Sequence, residues 1–148
     1  MENLQSRLRG ELAEHLSIAG DEEAKSECLA RFKLFTESKA SIDPDLRSAV
    51  YKTGILYGNK DSFDLMLKMS DETDFAEERL RRLISLSFTQ NTELLHKILD
   101  LVLNSPFIRT QDGVPIIAAV AENPIGQEIA WQFVKTKLEN FPAKIDFF

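Results

Sequence analysis

The sequence predicts an all-α fold of about eight amphipathic helices, with short turns that make neighbours antiparallel. Three observations predict it. Apolar residues recur at helical spacing through most of the 148-residue chain. Asp, Asn and Pro stand at helix-start positions and Gly at stops, one helix length apart. No segment alternates with period two over the length of a strand.

The first helix covers residues 2–18, with Leu4, Leu8, Leu12, Leu16 and Ile18 close to the 3.6-residue period. Gly20 ends it. Asp21 caps the next helix, and Glu22 and Glu23 fall in a first turn where the helix dipole favours acids. That second helix runs to about Phe35, with Ala24, Cys28, Phe32 and Phe35 on one face. Lys39–Ile42 reads as a loop. Asp43 as N-cap and Pro44 at the first position open a third helix, with Leu46, Val50, Tyr51 and Ile55, which stops at Gly58. Asp61 is expected to cap the fourth, with Phe63, Met66, Leu67 and Met69. Asp74 and Glu77 have capping-box spacing for a fifth, from Phe75 to about Phe88, with Leu80, Leu83, Ile84 and Leu86.

Asn91-Thr92 opens the sixth helix. Leu94, Leu95, Ile98, Leu99, Leu101, Val102 and Leu103 exceed one stripe, so this helix is expected to be central. Ser105-Pro106 breaks the chain, and a short helix follows around Pro115–Ala121. Asn123-Pro124 restarts it as N-cap and first position. The last helix carries Ile125, Ile129, Phe133 and Val134, with Trp131 and Leu138 on an adjacent face. The tail Lys144–Phe148 is expected to fray. No internal linker interrupts the pattern, so residues 1–148 are expected to be one domain.

The formal charge of −6 opposes nucleic acid as a partner, because phosphate needs a basic face. Arg79, Arg81 and Arg82, flanked by Glu77 and Glu78, read as a solvated, salt-bridged face. A membrane partner is not expected either: the apolar-rich stretches Ile98–Leu103 and Val114–Ala121 are short and interrupted by Asp100 and Pro115. Residues from Met1 to Arg7 lack the apolar core of a signal peptide. Cys28 is the only cysteine and reads as a small buried thiol; His15 and His96 show no spacing that supplies it with a base. Glu11 and His15 are four apart and read as a surface hydrogen-bonded pair, since a catalytic zinc needs three protein ligands. No residue of this chain is expected to be catalytic or to bind metal, and no cofactor is expected in it.

Several blocks carry a family resemblance. They are Pro44-Asp-Leu-Arg-Ser-Ala-Val-Tyr51, Asp64-Leu-Met-Leu-Lys68, Glu77-Glu78 before Arg79-Leu-Arg, Pro106-Phe-Ile-Arg-Thr-Gln-Asp112, Ala121-Glu-Asn-Pro-Ile-Gly126 and Ala130-Trp-Gln-Phe133. Their order and spacing, from about Glu22 to Phe141, resemble the C-terminal domain of the M1 zinc aminopeptidases, the puromycin-sensitive branch in particular. The motif residues matched are Asp45, Leu46, Arg47, Tyr51, Arg109, Gln111, Asp112, Asn123, Gly126, Trp131 and Phe133. Helix pairing and the resemblance together imply antiparallel pairs stacked as a short, right-handed HEAT/armadillo-like α-solenoid.

The chain departs from that family's pattern at two places. Many secreted or membrane-bound members of that family pair a cysteine near the position of Cys28 with one several residues upstream, whereas His15–Gly20 holds none; this favours the cytosolic branch and a cytoplasmic location. Relatives also finish the last helix with Asn-Trp where this chain has Lys137-Leu138. The family's His-Glu-x-x-His zinc motif and its Gly-x-Met-Glu-Asn strand are both absent from these residues.

The resemblance implies a non-catalytic fragment of a larger enzyme, with Met1 a truncated start and zinc held in the parent. Such a domain closes over the catalytic domain of the same polypeptide and gates the peptide substrate. Arg47 and Arg109 are the candidate contacts for a peptide carboxylate. Each also has a structural reading: Arg47 salt-bridges a neighbour near its helix start, and Arg109 pairs with Asp112 and fixes the loop after Pro106. Trp131 and Phe133 read as packing, Asn123 as a cap, and Phe147-Phe148 as sticky surface. The alternative is a stand-alone helical-repeat scaffold that binds a protein partner.

Overall fold

Eight α-helices and one 3-10 turn, with no strand, make up the described residues, 2–137 of a computed structural model. The expectations placed on Met1, Leu138, the tail Lys144–Phe148 and the Phe147-Phe148 pair lie outside those residues. In chain order the elements are α1 (Glu2–Ala19), α2 (Glu22–Ser38), the 3-10 turn (Pro44–Leu46), α3 (Arg47–Leu56), α4 (Lys60–Glu72), α5 (Ala76–Leu86), α6 (Thr92–Asn104), α7 (Thr110–Glu122) and α8 (Gln127–Lys137). The chain divides after Leu65 into two compact units, and α4 spans the division.

In the first unit α1, α2 and α3 pack on one another. Gly20, at φ 92°, ends α1, and Asp21 caps α2 by accepting from the Ala24 amide at 2.9 Å. The core joins Cys28, Phe32 and Phe35 of α2 to Val50, Tyr51 and Ile55 of α3, and the Phe35 and Tyr51 rings stand 5.2 Å apart. Gly54 is needed here, because a Cβ would run into the Phe32 ring.

The side of α1 that faces the core is not the expected one. Leu4, Leu8, Leu12 and Leu16 are 74, 56, 51 and 47% exposed. The opposite side is packed instead. The α1 backbone lies against the Asp45 carbonyl at Gly10, the Thr53 hydroxyl donates to Ser17 Oγ at 2.8 Å, and Lys52 donates to Glu14. The Tyr57 hydroxyl is shared between the Ser17 and Ile18 carbonyls, both at 3.2 Å. Small and polar groups therefore make the helix contact, and the apolar period marks an uncovered row.

Two capping expectations are corrected in these residues. Asp43 and Pro44 open the 3-10 turn, not α3 itself; the Asp43 carboxylate makes no cap bond and faces Arg9 at 3.5 Å. Asn59, not Asp61, caps α4. Its Oδ1 accepts from the Ser62 amide at 3.1 Å, whereas Asp61 already lies in the first turn.

In the second unit α7 packs on α5, α6 and α8. Leu94, Leu95, Ile98, Leu99 and Val102 of α6 are buried, as are Ile116, Ile117 and Val120 of α7. Asn91 caps α6 through the Glu93 amide at 2.9 Å. The capping box of Asp74 and Glu77 does not form, because α5 starts at Ala76 with Phe75 before it, and α5 ends at Leu86 rather than near Phe88. α7 is longer than Pro115–Ala121: it begins at Thr110 and carries Pro115 inside. The first four helical amides have no partner within a helix, so Pro115, sixth in α7, forfeits a single backbone bond.

Arg79 and Arg82 depart furthest from the solvated face expected of them. Arg79 donates to the Ser70 and Thr73 carbonyls at 3.2 and 2.5 Å, and Arg82 to the Met69 carbonyl at 2.7 Å. Glu78, itself buried, holds Arg82 at 3.2 Å and Arg81 at 2.5 Å. Two guanidinium groups thus satisfy the Met69 and Ser70 carbonyls, two of those that the end of α4 leaves open, where the helix dipole is negative.

Candidate functional site

The motif residues form two clusters, one in each unit. In the first, the 3-10 turn sets Leu46 into the core and turns Asp45 toward α1. Asp45 Oδ2 is buried, without a hydrogen bond, and 3.4 Å from Arg9 Nη1. Charge proximity to Arg9 compensates a carboxylate whose hydrogen-bond geometry is incomplete. Arg47 Nε donates to the Ile42 carbonyl at 3.2 Å and so ties the preceding loop to α3. Tyr51 is fully buried.

In the second cluster Arg109 precedes α7 and forks onto Asp112, Nε to Oδ2 at 2.7 Å and Nη2 to Oδ1 at 3.0 Å. Asp112 is buried and Arg109 half-exposed. The hydrogen bond to Asp112 raises the Arg109 pKa above its usual value, desolvation opposes the rise, and the Asp112 charge adds to it. Gln111 is exposed beside them.

Asn123 ties two loops together. It is buried, and Nδ2 donates to the Ser87 and Thr89 carbonyls at 2.8 and 2.9 Å while Oδ1 accepts from the Ile125 amide at 3.2 Å. One amide joins the α5–α6 loop to the α7–α8 turn. Asn123 is not the N-cap expected: α8 starts at Gln127, after Gly126, whose amide donates to the Asn123 carbonyl at 2.8 Å. Gly126 has no room for a Cβ beside the Val120 carbonyl.

Phe133 is buried as expected, but Trp131 is 58% exposed. Trp131 borders a groove of about 570 Å³ between α7 and α8, with Val114, Ile117, Ala121, Glu128 and Val134. Trp131, expected to pack, instead borders this groove, which the expectations above do not include. The signal was Trp131 and Val134 on α8 opposite Val114 and Ala121 on α7, one apolar line per helix. Neither histidine belongs to a chemical cluster. His15 Nδ1 donates to the Glu11 carbonyl, not its carboxylate, at 2.7 Å, and His96 is exposed. Among the described residues no three His, Cys, Asp or Glu side chains are grouped to hold a metal ion, and no helix is long and apolar enough to cross a membrane.

Arg47, Arg109 and Asn123 hold backbone and carboxylate partners among the helices of an all-α domain. The chain belongs to the ERAP1-like C-terminal domain family, whose profile matches residues 1–147. It is similar to Aminopeptidase M1-A of Oryza sativa subsp. japonica, 32% identical over 140 residues, covering 91% of this chain and 16% of that protein. It is also similar to glutamyl aminopeptidase of Homo sapiens, 30% identical over 117 residues, 78% of this chain and 12% of that protein. A puromycin-sensitive aminopeptidase of Caenorhabditis elegans is 25% identical over 137 residues, 93% of this chain and 14% of that protein. The chain is thus a C-terminal domain of the M1 aminopeptidase kind, and it spans 12 to 16% of the length of these three relatives.

Proposed function

We propose that this chain serves a larger M1 zinc aminopeptidase as a non-catalytic part, closing over the catalytic domain of the same polypeptide and gating the entry of peptides. The family match over residues 1–147 carries this reading. On this reading zinc is held by the parent's catalytic domain; among the described residues no three His, Cys, Asp or Glu side chains are grouped to hold a metal ion. The helix pairs within each unit are the building block of HEAT/armadillo-like solenoids. A single, buried cysteine suits a reducing compartment, and the cytoplasm is the location we propose.

Arg109 is the better candidate for a peptide's terminal carboxylate, with Arg47 second. The Arg109 fork engages Nε and Nη2, and its side chain is half-exposed. In the parent enzyme Arg109→Ala is expected to raise KM for long peptides about tenfold, the loss of one charge-assisted hydrogen bond, and to leave single-residue amide substrates unchanged. An equal effect on both substrate classes would remove the peptide-contact role. The 148-residue chain alone is expected to hydrolyse no aminoacyl fluorogenic substrate, with or without added zinc. Measured hydrolysis would overturn the non-catalytic assignment.

A further inference from the structure

We draw no further inference here: the strongest candidate, the apolar groove between α7 and α8 bordered by Val114, Ala121, Trp131 and Val134, is an unpartnered face, and nothing in the structure shows what covers it.

Discussion

Asn123 is the side chain on which the second unit's loops most depend. Its Nδ2 serves two buried carbonyls, those of Ser87 and Thr89, and its Oδ1 serves the Ile125 amide. Asn123→Ala leaves these partners unsatisfied and is expected to cost about 2–3 kcal/mol. Asn123→Asp is close in shape but cannot donate, and should cost at least as much; chemical denaturation would show it. Little change in either variant would mean that water replaces the amide. Gly54 is a second sensitive position. Gly54→Ala places a methyl group inside the Phe32 ring's space, and an overpacked core of this kind loses roughly 1–3 kcal/mol. Lys39 points the other way. It closes α2 at φ 54°, a left-handed conformation that costs a residue with a Cβ. Lys39→Gly is therefore expected to stabilise the chain by about 0.5–1 kcal/mol, read as a higher denaturation midpoint.

At the scale of the element, the end of α4 is held by arginines that follow it in sequence. Arg82 is nearly buried, bonds the Met69 carbonyl and is held by Glu78. Arg82→Met leaves that carbonyl open and strips a buried carboxylate of one partner, at an expected cost of roughly 2–3 kcal/mol. Arg81→Met removes only the outer, more exposed ion pair and should cost under about 1 kcal/mol. If the two variants melt alike, the clamp is not what secures α4.

This contact also shows which features were legible in the sequence. Asp21 and Asn91 were readable as caps because a cap is decided within three residues, by whether one acceptor reaches the N2 or N3 amide. Asp61 and Asp74 met the same pattern and failed, since Asn59 reached the first turn of α4 before Asp61 and α5 began after Phe75. Arg79 and Arg82 reach carbonyls nine and thirteen residues away, beyond any local pattern. Periodicity found the leucine row of α1 and the apolar side of α8. It could not say that Leu8 and Trp131 face outward, because exposure depends on whether another element lies opposite.

At the scale of the whole molecule, the chain is poor in the nitrogen and sulfur ligands that zinc favours. It has two histidines and one cysteine. Cys28 is buried, and His15 gives its Nδ1 proton to a carbonyl of its own helix. No three ligating side chains converge among the described residues. Folding should therefore be independent of metal, even though the parent enzyme requires zinc on our reading. A metal at a hundred times its dissociation constant stabilises a folded protein by about 2.7 kcal/mol, which for a chain of this size moves Tm by roughly 5–10 °C. A site of modest affinity would thus be plain in a melting curve. The expected outcome is a Tm within about 1 °C whether chelator or zinc is added. A chelator-induced drop of several degrees would show that this chain binds metal itself, and the division of labour between a zinc-holding catalytic domain and a metal-free helical one would have to be abandoned.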